Sequence, residues 1–211
     1  MPGVTISGAY GAGGSVVAPA VADLLGYQLL DRAISSAVAA QLEVSVAEAE
    51  GGVMKRSWPE RFLSLLAPLS GGVLGAGTDS APVELPAGSD ESAAFRLQAE
   101  TIMRGAMSEG AVILGRAGAA AFVKDRDVLR VRLYGPVEGR IAQAARVEGV
   151  DEATARRRLP EVDSARAHYV RRLYQVSVDD PALFHLQLDS TVLDPQTCAR
   201  LIVDAYRSLH G

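Results

Sequence analysis

The sequence is short of several residue types, and each shortage excludes a class of protein. Cys198 is the only cysteine, so no disulfide can form within the chain, and we expect a reducing compartment. The three histidines, His168, His185 and His210, are far apart and lack the spacing of metal ligands. No apolar run has membrane-spanning length and the N-terminus lacks a signal-peptide pattern. We therefore expect a cytoplasmic protein without a membrane partner.

Positive charge is also scarce. The formal net charge is −4, and Lys55 and Lys124 are the only lysines, so arginine carries almost all of the positive charge. A surface that binds a nucleic acid polymer needs a basic excess, which this composition does not supply. Arginine is nevertheless well suited to small phosphate groups, because its planar guanidinium can donate two parallel hydrogen bonds.

The pattern of apolar residues predicts one α/β domain over residues 1–211. Buried strands are expected at 4–7, 27–30, 111–114, 128–134 and 184–188. Helices are expected at 15–25, 31–42, 90–109, 135–148, 151–174 (disturbed at Pro160) and 194–209. Strands that alternate with helices predict a three-layer, doubly wound parallel sheet of about five strands.

Residues 51–90 interrupt this alternation. The stretch is rich in glycine, proline and serine, and its one apolar part covers 62–69. This composition predicts an excursion with a short helix that is flexible over 71–88. The apolar part can pack against the core or against a second copy of the chain, so a homodimer is one of two interpretations.

The most informative stretch follows the first strand. Four glycines occur between positions 8 and 14, and a helical pattern begins at Ser15. Gly8, Gly13 and Ser15 match the phosphate-loop pattern Gly-x-x-x-x-Gly-Lys-Ser/Thr, but Gly14 replaces the lysine. Such a loop can hold phosphate on its backbone N–H groups, with the Ser15 hydroxyl on Mg²⁺. The alternative is a tight turn whose glycines serve packing alone.

Two further sites follow predicted strands. Asp31-Arg32 ends the second strand and Gly115-Arg116 ends the third, at the edge of a parallel sheet where ligands bind. A local ion pair explains Asp31 and Arg32 equally well, and Arg116 could be an ordinary surface residue.

The helix over 151–174 is rich in arginine. Asp163, Arg166 and Tyr169 follow one another at three-residue steps and share roughly one face. A solvated charged helix is the usual meaning of such a segment. Phosphoryl transfer, however, needs mobile cations that close over the transferring group, so residues 151–178 also fit a helical lid.

Together these motifs resemble the cytidylate kinase-like family of phosphate-loop kinases. The resemblance extends in order over nearly the whole chain, through Tyr10-Gly11-Ala12-Gly13-Gly14, Leu30-Asp31-Arg32, Val112-Ile113-Leu114-Gly115-Arg116, Asp163-x-x-Arg166-x-x-Tyr169 and Asp180-Pro181 to Leu188. It implies a phosphate-loop kinase fold with a helical lid and an acceptor-side excursion. It also implies an ATP- and Mg²⁺-dependent phosphotransferase that acts on a nucleoside monophosphate, with CMP or dCMP favoured.

The resemblance implies a role for each matching residue. Gly11, Ala12, Gly13, Gly14 and Ser15 would hold the ATP phosphates, with Ser15 on Mg²⁺. Asp31 would act beside the reacting oxygens, and the lid arginines Arg157 and Arg158 would approach the ATP phosphates. The acceptor would be bound by Arg32, Arg116, Asp163, Arg166 and Tyr169.

The chain departs from the family pattern at two positions. Gly8 stands where the family usually has arginine, and Ala117 replaces an aspartate of true cytidylate kinases. The loss of a charged hydrogen bond to phosphate costs about 1.5–3 kcal/mol of binding. Two alternatives therefore stay open, namely a weak or inactive nucleotide- or phosphate-binding protein and a kinase of another small acceptor.

Overall fold

The computed structural model describes residues 2–30, 89–115 and 117–211. Asp31, Arg32 and Arg116 lie outside these ranges. So do the predicted helix over 31–42 and all but the last two residues of the predicted excursion over 51–90.

Five strands form a single sheet in the described part of the chain. They are β1 (Gly3–Gly8), β2 (Gln28–Leu30), β3 (Ala111–Leu114), β4 (Val128–Tyr134) and β5 (Leu186–Asp189). Their order is β2-β3-β1-β4-β5, and every neighbouring pair is parallel. The predicted parallel α/β sheet is confirmed. Its central strand, β1, leads directly into the glycine-rich loop.

Helices cover both faces of the sheet. They are α1 (Gly14–Leu25), α2 (Ser89–Ser108), α3 (Gly118–Ala121), α4 (Val137–Glu148), α5 (Glu152–Tyr174) and α6 (Pro195–His210). Asp151 and Asp194 begin α5 and α6 by accepting hydrogen bonds from backbone N–H groups of the first turn, as N-cap residues do. None of the described helices is both long and apolar enough to cross a membrane.

The buried strands divide their side chains between two apolar layers. Val112 and Leu114 of β3 pack with α1 and α6, whereas Ala111 and Ile113 pack with α2. Such burial of both faces explains why the strand is a continuous apolar run in the sequence. Cys198 is fully buried in the first layer, so the thiol belongs to the packed core.

Helix α5 continues through Pro160 as predicted, because the proline is exposed and removes only one hydrogen bond of the helix, that to the Arg156 carbonyl. Two local features differ from the sequence-based predictions. The last strand begins at Leu186, because Asp180 caps a short 3₁₀ turn over Pro181–Leu183. The four-residue helix α3 was not predicted.

Candidate phosphate-binding site

The glycine-rich loop between β1 and α1 has a backbone that requires glycine. Gly11 and Gly13 have φ values of 73° and 68°, in the left-handed region that side chains disfavour. A Cβ on Gly11 would also collide with the backbone carbonyl oxygen of Arg140. Gly13 is the N-cap of α1, so the loop turns directly into the positive end of the helix dipole.

Four backbone N–H groups of this loop have no acceptor among the described residues, those of Gly11, Gly13, Gly14 and Ser15. By contrast, the N–H of Ala12 donates to the Ala9 carbonyl at 3.1 Å. Unpaired N–H groups at the first turn of a helix form an anion-binding site, because they donate in concert with the helix dipole. We call these four residues the N–H cradle.

Ser15 lies in the first turn of α1 and is exposed. Ser15 lines the same cleft as the cradle glycines and Arg166. A hydroxyl in this position can coordinate Mg²⁺ that is shared with a phosphate, as in phosphate loops that carry serine after the lysine.

A largely buried network of hydrogen bonds to α4 and α5 holds the loop in place. The Tyr10 ring is fully buried between α4 and α5. Asp163 Oδ1 accepts the Tyr10 N–H at 2.7 Å, and Arg140 Nη1 donates to Asp163 Oδ2 at 2.6 Å and to the Tyr10 carbonyl at 3.0 Å. We call Tyr10, Arg140 and Asp163 the loop clamp. On the far side, the buried Ser190 Oγ donates to the Ala12 carbonyl at 2.8 Å.

Arg166 brings a cation to the beginning of the loop. Its Nη1 donates to the Gly8 carbonyl at 2.9 Å, and the residue lines the cleft beside Ser15. A Cβ on Gly8 would meet no atom within 4 Å, so the position has room for a side chain. Because Arg166 follows Asp163 by three residues on α5, one helix supplies both the clamp carboxylate and this guanidinium.

The two predicted lid arginines differ in their surroundings. Arg157 is exposed and pairs with no acidic residue of the described ranges. Arg158 Nη1 lies 3.2 Å from Glu148 Oε2, which also accepts the Tyr10 hydroxyl at 3.0 Å. The Glu148 side chain is only 10% exposed. Because Glu148 also lines the cleft, a carboxylate lies beside the cradle.

Tyr169 lies away from the loop, towards the β2 side of the sheet. Its ring meets Phe95 of α2 edge to face, with 6.3 Å between ring centroids, and it packs on a cluster that includes Leu30. Leu30 is the last residue of β2 and precedes Asp31. Of the predicted site residues, the structure thus brings Asp163 and Arg166 to the loop and places Tyr169 near the chain that enters Asp31-Arg32.

Sequence reasoning missed Arg140, Gln143, Glu148 and Ser190. Arg140 and Gln143 are buried on α4 next to Ile141 and Ala144. The available signal was weak, because polar residues within a helical pattern ordinarily mark its solvent face. Only the approach of the loop, more than a hundred residues earlier in the chain, makes these positions interior.

Comparison with known proteins gives the family. A model of the cytidylate kinase-like family matches residues 3–192. Over 104 residues the chain is 35% identical to a cytidylate kinase of Methanopyrus kandleri, and that match covers 45% of this chain and 54% of the relative. The chain thus spans about half the length of the curated relatives it matches.

Solved structures show the same fold at low identity. An uncharacterized protein from Eubacterium ventriosum ATCC 27560 superposes with a TM-score of 0.65 at 15% identity, over 99% of both chains. A gluconokinase from Sinorhizobium meliloti 1021 superposes with a TM-score of 0.51 at 12% identity, over 99% of this chain and 93% of its own. The fold is therefore the phosphate-loop kinase type. Since the family model extends from β1 past the end of β5, the chain belongs to the cytidylate kinase-like family.

Proposed function

We propose that this protein is an ATP- and Mg²⁺-dependent phosphotransferase whose acceptor is a nucleoside monophosphate, CMP or dCMP in the first instance. One observation carries the proposal: the N–H cradle opens at the start of α1, and the Arg166 guanidinium lies at the entrance of its loop. The family match supports the choice of acceptor.

The donor side follows from the cradle. The N–H groups of Gly11, Gly13, Gly14 and Ser15 would hold the ATP phosphates, with Ala12 as part of the same loop. The residues fit a Mg²⁺–phosphate group, because the exposed Ser15 hydroxyl stands next to unpaired N–H donors. When bound, Mg²⁺ neutralises charge on the phosphate oxygens.

Positive charge would come from α5 in place of the lysine missing at Gly14. Arg166 is already at the loop, and Arg157 is exposed on the same helix. Arg158 would exchange Glu148 for a phosphate oxygen; its own side chain is 43% exposed, and the Glu148 carboxylate would keep the hydrogen bond from the Tyr10 hydroxyl. These arginines would stabilise the charge that develops on the transferring group.

The acceptor side rests on the family pattern. Asp31 would act at the reacting oxygens, and Arg32, Arg116, Arg166 and Tyr169 would hold the acceptor. Asp163 can also serve it. Its carboxylate offers about four lone-pair sites, and the Tyr10 N–H and Arg140 occupy two of them.

A second candidate is a nucleotide-binding protein without turnover. The Glu148 carboxylate beside the cleft favours it, because a negative charge there repels the phosphate that a lysine would attract. ATP binding measured by calorimetry, with no product formed, would support this candidate.

A coupled assay of ADP release tests the proposal. With ATP and Mg²⁺ we expect turnover of CMP or dCMP above that of UMP, AMP and GMP. Arg166→Ala should lower kcat/KM by about 10–1000-fold, whereas Arg171→Ala, an exposed arginine on the same helix, should leave it unchanged. Absence of turnover with every monophosphate would refute the proposal.

A further inference from the structure

Gln143 on α4 is a polar residue that is largely buried. The residue is 6% exposed, and its amide makes no hydrogen bond to any residue that the structure describes. Among the described residues, Thr5 Oγ1 and Tyr174 Oη are the buried side-chain atoms without a partner, so the Gln143 amide is not sealed from solvent and its N–H groups remain available in the cleft.

The amide faces the phosphate cleft. Gln143 lines the cleft together with Gly13, Gly14 and Ser15. A Cβ built on Gly13 would lie 2.5 Å from Gln143 Nε2, so the amide is packed directly against the cradle. The loop and α4 approach so closely that Gln143 would lie beside any ligand held by the cradle N–H groups.

We propose that Gln143 is a phosphate-binding residue, whose side-chain NH₂ donates to an oxygen of the donor phosphates held in the cradle. This inference rests on the proposed function, since it assumes that polyphosphate binds there. A bound phosphate oxygen would satisfy the amide that the protein leaves unpaired. The loop lacks a lysine at Gly14, so a neutral donor from α4 would supply one of the hydrogen bonds that the lysine ammonium gives elsewhere.

The chemistry of a neutral donor distinguishes Gln143 from Arg166. The amide adds direction but no charge, so its contribution should persist at high salt, whereas an exposed cation is screened. Glu148 lies on the same helix and also lines the cleft. An uncharged donor at Gln143 forms no ion pair with that carboxylate, so no such pair would compete with the ligand.

Calorimetric titration of the full chain with ATP and with inorganic tripolyphosphate, each with Mg²⁺, tests the inference. Gln143→Met keeps the length and removes the donor, and it should weaken both ligands by about 10-fold or more. Gln143→Glu should weaken them further through repulsion. Gln187→Met, at an exposed glutamine of β5, is the matched control and should bind like the wild type.

Thermal unfolding without ligand separates binding from a structural role. Gln143→Met should unfold at about the wild-type temperature, because it keeps the length of the side chain and removes no hydrogen bond among the described residues. If both Gln143 variants bind tripolyphosphate as the wild type does, the inference is wrong while the proposed function stands. If the wild type binds neither ligand, the proposed function fails and the inference fails with it. A lower unfolding temperature with unchanged affinity would assign Gln143 to packing and overturn the inference.

Discussion

The loop clamp makes the shape of the phosphate loop depend on α5, and Asp163→Ala tests this dependence. The variant removes the acceptor of the Tyr10 N–H at 2.7 Å and the counter-charge of Arg140 at 2.6 Å. The Arg140 side chain is only 10% exposed, so water cannot fully replace the carboxylate. We expect the folded protein to lose stability and the loop to lose its fixed geometry.

The magnitude follows from burial. Breaking a fully buried ion pair by removing one partner costs about 3–5 kcal/mol, and exposed pairs contribute about 0–1 kcal/mol. Asp163 is 30% exposed and Arg140 is 10% exposed, which places the pair between these limits. We predict a loss of about 2–3 kcal/mol of unfolding free energy for Asp163→Ala, and less for Asp163→Asn, which keeps an acceptor for the Tyr10 N–H.

Urea unfolding followed by circular dichroism measures this loss. The matched control is Glu138→Ala, because Glu138 and Arg156 form a 2.6 Å pair between the same two helices with both side chains largely exposed. No measurable change is expected for the control. If Asp163→Ala were no more destabilising than Glu138→Ala, the clamp would be an ordinary surface ion pair and the reasoning would be refuted.

Three further predictions concern single positions. Gly8→Arg should fold normally, because a Cβ there meets no atom within 4 Å. Calorimetry should show that it binds ATP about tenfold more tightly or better than the wild type. Weaker ATP binding than in Gly8→Met, the control for side-chain size, would contradict this prediction. Pro160→Ala should restore a helix hydrogen bond at an exposed site, so urea titrations should show an unfolding free energy about 1–3 kcal/mol higher than that of the wild type. A destabilised variant would show that the hydrogen bond is not regained. Hydrogen bonds from the Thr197 hydroxyl and backbone N–H groups lower the pKa of Asp194 below its ordinary 3.8. The ionised Asp194 therefore stabilises the folded protein fully above about pH 3.8, and this contribution is lost as the pH falls through the folded-state pKa. Thermal unfolding temperatures should therefore fall less steeply below pH 4 in Asp194→Asn, and identical slopes would refute the link.

Local sequence patterns predicted the scaffold well because its causes are local. The run Ala111–Leu114 is apolar throughout since both its faces are buried, and the structure begins and ends β3 at those residues. Asp194-Pro195 starts α6 as predicted, because an acidic N-cap followed by proline satisfies the first turn without distant partners.

The parts of the site that were missed depend on distant contacts. Arg140 reads as a surface residue of an amphipathic helix, yet it is buried because Tyr10, 130 residues away, packs on α4 and α5. The spacing of Asp163 and Arg166 indicated a shared face but not its partners, which are Tyr10 and Gly8. Only tertiary packing reveals that the carboxylate holds the loop and that the guanidinium stands at its entrance.

The central claim is that the cradle N–H groups hold the donor phosphates with a cation from α5. Nuclear magnetic resonance of protein labelled with ¹⁵N-glycine and ¹⁵N-serine measures this directly during titration with ATP and Mg²⁺. We predict large shifts of the Gly11, Gly13, Gly14 and Ser15 amide resonances at saturation, and weaker binding in Arg166→Ala. If ATP binds while these four amides keep their positions, the phosphates lie elsewhere and the account is contradicted.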